Sequence, residues 1–132
     1  MKIRKIITLL NYLSQHIDCL TKLKAAKLIY FIDKFHLTQY GRFVTHDRYS
    51  KLPLGPVPSN ILNLINDPYT SLTEEDACFL NKNISFENTS YRTISSTSAP
   101  DLDELSDSET TIIQQVIEVG VDSVELCGDG FQ

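Results

Sequence analysis

Apolar residues recur at three- and four-residue steps at the start of the chain: Ile3, Ile6, Ile7, Leu10, Leu13 and Ile17. Lys2, Arg4, Lys5, Asn11 and Gln15 fall largely off that stripe. A period near 3.6 predicts a helix from about Lys2 to Ile17 with one apolar face, suited to packing on a larger core. A stronger pattern follows in "TKLKAAKLIYFIDKFHLTQYG", where Thr21 is placed to cap the N-terminus and Gly41 follows the last turn. Leu28, Phe31, Ile32 and Phe35 form one stripe, and Ile29, His36 and Tyr40 lie on a neighbouring face. Apolar side chains over so wide an arc predict a central helix packed on more than one side.

The pattern then breaks. A short extended piece is predicted at Arg42–Thr45, followed by "KLPLGPVPSNIL". Each proline fixes φ near −65°, removes an N–H and pushes the residue before it towards extended geometry. The stretch reads as a rigid, extended corner, with Leu54 and Val57 packed under the helices and Pro56 opening a turn. Ser59 is the expected cap of a third helix, Asn60 to Asn66, with Ile61, Leu62 and Ile65 turned inward. Thr73 caps a further helix to about Leu80, and Glu74, Glu75 and Asp76 suit its positive end. Residues 83–96 alternate weakly about the turn residues "ENTS" and predict a hairpin. After a polar, acidic linker, "SDSE" at 106–109 is a capping box opening a helix through Ile117 that Gly120 ends. The expected fold is mainly α with a small β-hairpin: one domain over residues 1–120 around a central helix at about 21–40. Residues 121–132 read as a short, truncated or divergent tail.

Composition fits that reading. At 132 residues, 42% hydrophobic and 22% charged, the chain suits one folded domain. No apolar run approaches the ~20 residues of a membrane helix. The basic start "MKIRKIITLLNYL" imitates a signal peptide, but its apolar core is short and no small-residue cleavage site follows. Cys19, Cys78 and Cys127 form no C-x-x-C pair and suit reduced thiols in a cytoplasmic protein.

Charge changes the picture more. Residues 1–51 carry ten Lys/Arg against three Asp/Glu, and residues 52–132 carry two against fourteen. The two poles either attract each other within the fold or meet a charged partner. Lys22, Lys24 and Lys27 crowd the first turns of the second helix, where the helix dipole disfavours cations, so a nearby acidic segment or partner would relieve them. The acidic half suits a protein with a basic surface. A nucleic-acid regulator using Lys2, Arg4, Lys5, Lys22, Lys24 and Lys27 is the alternative, opposed by the net charge of −5 and the lack of helix-turn-helix spacing.

Candidate chemistry is sparse. "LGPVPSN" has one glycine, no lysine before the helix and prolines where a phosphate loop needs N–H donors. His36 stands three residues from Asp33, the spacing of a surface pair, and neither it nor His16 or His46 has a nucleophile or ligand set assigned by spacing. "DLDELSDSE" lacks the central glycine of a calcium loop. No catalytic residue, metal or cofactor is predicted.

"KLIYFIDKFHLTQYGR" followed by "KLPLGPVPSNILNLI" resembles the Panacea domain of the SocA-like antitoxin family. The matching residues are Lys27, Leu28, Tyr30, Phe31, His36, Gly41, Gly55, Pro56 and Val57, and "LSDSETTIIQQVIEVG" fits the family's later capped helix. The likeness runs from about residue 5 to residue 120. The corner holds more proline than is usual in the family, and the tail "VDSVELCGDGFQ" lacks the family's further helix with its Thr-His pair. The resemblance implies a mainly helical domain that binds and neutralises a toxin protein encoded beside it. It also implies, as in the SocA case, delivery of that toxin to an ATP-dependent protease. The missing catalytic motifs, read separately, point to a protein that is not an enzyme. Phe43, Tyr49 and Tyr91 are the apolar residues expected at the toxin contact.

Overall fold

The computed structural model describes residues 2–52, 55–70, 72–87 and 92–120. The expected positions of Leu54, Tyr91, Cys127 and the tail 121–132 lie outside the described residues. The fold is mainly helical with two small antiparallel strand pairs. In chain order the elements are α1 (Ile3–His16), α2 (Lys22–Tyr40), β1 (Tyr49–Leu52), β2 (Gly55–Pro58), α3 (Ser59–Asn66), α4 (Glu74–Asn83), β3 (Ile84–Phe86), β4 (Ile94–Ser96) and α5 (Asp107–Gln115). A 3₁₀ turn at Leu102–Glu104 precedes α5, and a π-helical turn at Val116–Gly120 continues it.

α1 and α2 share the core. Eight consecutive residues of α1, Ile6 to Leu13, are buried, so this helix is enclosed all round rather than on one face. It packs against α4, the β3–β4 hairpin and the 3₁₀ turn. α2 packs against α3, α5 and β2, the multi-sided contact its pattern predicts. Thr21 caps it by accepting from the Lys24 N–H at 3.2 Å, and Gly41 ends it at φ 79°. That left-handed conformation lets the Gly41 N–H reach the Leu37 carbonyl at 2.9 Å, and a side chain would be strained there. The expected stripe divides: Leu28 and Ile32 are buried, Phe31 is half-buried and Phe35 is exposed.

The proline-rich stretch forms a hairpin rather than an isolated corner. β1 pairs with β2 in the register Tyr49–Pro58, Ser50–Val57, Lys51–Pro56 and Leu52–Gly55. The Ser59 N–H donates to the Arg48 carbonyl at 2.9 Å, which makes Arg48–Ser59 a hydrogen-bonded pair. By the alternation of an antiparallel ladder, Ser50–Val57 and Leu52–Gly55 are also hydrogen-bonded pairs. Pro56 and Pro58 occupy the intervening positions, where their missing N–H costs no ladder bond. Pro56 therefore lies within a strand and does not open a turn, and extended structure begins at Tyr49 rather than at Arg42. Val57 is buried as expected.

Ser59 is the first residue of α3 rather than its cap. The cap comes from Asp47, whose carboxylate accepts from the Asn60 N–H at 3.0 Å and the Ile61 N–H at 2.9 Å. Ile61, Leu64 and Ile65 face the core, and Leu62 is half-buried. Thr73 caps α4 through the Asp76 N–H at 3.2 Å. β3 and β4 pair as Ile84–Ser96, Ser85–Ser95 and Phe86–Ile94, the hairpin predicted at 83–96. Ser106 and Glu109 close both halves of the capping box on α5. The α5 helix ends at Gln115, and the π-helical turn carries the chain on to Gly120.

Candidate protein-interaction surface

Two buried polar nodes fix α2 and the loop after it. The first centres on Asp33, which is fully enclosed. Its carboxylate accepts from the Val44 N–H at 2.8 Å, the Thr45 N–H at 2.9 Å, the Thr45 hydroxyl and the Tyr49 hydroxyl at 2.6 Å. Three donors from the loop and one from β1 converge on one helix residue, which keeps a buried carboxylate solvated by the protein itself. Burial, and then the neighbouring Asp33 charge, push the Tyr49 phenol far above its ordinary pKa, so it stays a donor.

The second node joins α2, α5 and α1. Glu109, 2% exposed, closes the α5 capping box through the Ser106 N–H at 2.9 Å. Its other oxygen pairs with Lys5 of α1 and with Arg42 Nη1 at 3.0 Å. Burial alone would raise its pKa. The Lys5 ammonium, the Ser106 N–H and Arg42 outweigh that and hold the carboxyl at about 2. His36, also buried, completes the node. A carbonyl can only accept, so Nδ1–H donates to the Arg42 carbonyl at 2.7 Å, and in the neutral ring Nε2 accepts from the Ser108 hydroxyl at 2.9 Å. Asp33 and His36, read from spacing as a surface pair, thus face separate buried partners.

With this side of α2 locked inward, its opposite side faces solvent. Leu23, Lys34, Phe35, Leu37 and Thr38 are exposed, and Lys24, Lys27, Tyr30 and Phe31 are half-buried along the same side. Leu23 is 44% and Phe35 38% exposed. An aromatic run crosses from this face to the first hairpin: Phe35 stacks on Phe31 at 6.0 Å, Phe31 meets Tyr30 at 5.6 Å, and Tyr30 meets Tyr49 edge-on at 5.7 Å. The sole acidic residue of α2, Asp33, is the buried one. The outer face is therefore apolar and cationic.

The structure separates the residues read from the sequence into three groups. Leu28, His36 and Val57 are buried, and Gly41, Gly55 and Pro56 shape the backbone around α2. Lys27, Tyr30 and Phe31 line the outer side of α2. Among the expected contact residues, Phe43 is exposed and packs edge-on against His46 at 6.3 Å, whereas the Tyr49 hydroxyl is committed to Asp33. Pattern alone missed Asp33 and Glu109 as structural nodes, although Glu109 stood at N3 of a capping box. The acidic linker is partly ordered by Asp101, which accepts from the Asp103 N–H at 3.1 Å. Cys19 and Cys78 are free and exposed. Among the described residues no helix is long and apolar enough to cross a membrane, and no group of three or more His, Cys, Asp or Glu is placed to hold a metal ion.

The sequence profile "Antitoxin SocA-like, Panacea domain" matches residues 26–121, and the chain belongs to that family. No curated protein and no solved structure matches it.

Proposed function

We propose that this protein is the antitoxin of a toxin–antitoxin pair and neutralises a cognate toxin protein by binding it directly, in the cytoplasm. The observation that carries this reading is the family match over residues 26–121, which covers α2 from Ala26 and every element after it. The exposed apolar residues of α2 and Phe43 supply the kind of surface a protein partner covers. The nucleic-acid alternative loses ground because its basic residues are divided. Lys5 is tied to Glu109, and Arg4 lies 3.9 Å from Asp76 and over the Phe79 ring. The protein also delivers its bound toxin to an ATP-dependent protease.

The test is co-expression with each flanking gene in a heterologous bacterium. One neighbour arrests growth alone, and this protein restores it. If no neighbour is toxic, or the toxic one is not rescued, the reading fails. Delivery is checked by the half-life of the toxin, which shortens with this protein present and recovers in a protease-deficient host.

A further inference from the structure

On the outer face of α2, Lys24 and Lys34 are exposed or half-buried cations. The ion pairs among the described residues join Arg4 to Asp76, and Lys5 and Arg42 to Glu109; none takes up Lys24 or Lys34. The first turn of α2 contains no acidic residue, although Lys22 and Lys24 stand at its positive end. Such a helix start is unfavourable on its own; Lys22 is met by the neutral Asn66 amide oxygen at 3.1 Å, and a carboxylate from outside would relieve Lys24. The contrast with α4 is instructive, because Glu74, Glu75 and Asp76 fill its first turn. Leu23 and Phe35 are exposed among these cations. From Leu23 to Phe35 the face extends about 18 Å at 1.5 Å per residue, roughly three turns of a facing helix.

We propose that this face receives an acidic amphipathic segment of the partner protein, with carboxylates on Lys24 and Lys34 and apolar side chains over Leu23 and Phe35. The inference rests on the antitoxin reading and adds the chemistry of the toxin surface. It departs from the expectation of a basic partner drawn from the acidic half of the chain, because Leu23 and Phe35 lie on the basic pole. Residues 52–132, with fourteen Asp/Glu against two Lys/Arg, repel the same segment and so orient its approach. A nucleic-acid strand would satisfy the lysines, and Phe35 would stack on a base, but the exposed Leu23 offers a strand nothing.

The experiment titrates the labelled full chain, followed by amide NMR, with three probes: a short amphipathic helix of Glu and Leu, the same helix with Lys for Glu, and an oligothymidylate of similar length. The acidic helix shifts amides between Leu23 and Thr38 and weakens as salt rises, and the double variant K24E/K34E weakens it roughly tenfold. Equal binding of the Lys helix or the oligothymidylate at these residues overturns the proposal, as does a response of the acidic helix confined to other elements. Both substitutions are on solvent-accessible side chains, and an unchanged melting temperature confirms that the variant folds. The same variant is then tested for growth rescue. If it neutralises the toxin as well as the parent, this inference fails while the antitoxin reading stands. If no neighbour is toxic, the antitoxin reading fails and the titration alone decides the surface.

Discussion

Glu109 links the pH stability of the protein to three separate parts of the chain. Its carboxyl is 2% exposed and held at about 2 against an ordinary 4.5 by Lys5, the Ser106 N–H and Arg42 acting against burial. Because the folded value is depressed, the stabilisation is complete above about pH 4.5 and is lost as pH falls from there through about pH 2. In that window the unfolded chain binds a proton that the folded one refuses. At about 1.4 kcal/mol per unit, the contribution at neutral pH is about 3 kcal/mol, a large part of the roughly 5–15 kcal/mol that stabilises a typical domain. The assay is urea unfolding of wild type and E109Q from about pH 6 to about pH 3. Taking the difference removes the other carboxylates. The wild-type advantage should shrink by about 2 kcal/mol across that range, and added salt should change little of the share due to the enclosed Lys5–Glu109 pair. A difference that stays flat with pH would refute the reasoning, for it would mean that Glu109 ionises in the folded protein as it does in an open chain.

Removing the Asp33 carboxylate by Asp33→Ala leaves the buried Val44 and Thr45 N–H groups without acceptors, at about 1–3 kcal/mol each, so urea unfolding should show a loss of about 2–6 kcal/mol. A loss under about 1 kcal/mol would mean the loop does not depend on this node. Gly41→Ala meets no atom within 4 Å, so only the strain of φ 79° opposes it; thermal melting should report a loss of about 1–2 kcal/mol, and no loss would argue against the left-handed cap.

Where the sequence was informative, the physics was local. Thr21, Gly41, Thr73 and the Ser106–Glu109 box announce helix ends because a cap and its N–H lie within three or four residues, and each appears in the fold where it was expected. Where it misled, the partner lay far along the chain. Asp47 caps α3 from thirteen residues upstream of Asn60, so the nearer Ser59 looked like the cap. Lys5 meets Glu109 across 104 positions, and His36 meets Ser108 across 72, spacings that no periodicity records. The first hairpin was obscured for a different reason. Prolines argue against a strand unless the register is known, and register depends on pairing with Tyr49 and Lys51. The outer face of α2 was partly legible: its lysines stood out, but Phe35 looked like core because the wide apolar arc of the helix conceals which part of it remains uncovered.

The placement of Pro56 and Pro58 bears on how this protein meets other chains. In a two-stranded ladder, the residues between hydrogen-bonded pairs turn their amide groups away from the neighbouring strand. On β2 those residues are Pro56 and Pro58, so the outer side of β2 has no N–H to offer at either position, whereas on β1 Tyr49 and Lys51 turn theirs outward. A foreign strand added on the β2 side would find no ladder donor at these two positions. A donor-less strand side discourages edge-to-edge pairing without spending a charged residue. On that side, contact with another chain is left to side chains, which can discriminate between partners where a bare backbone edge cannot.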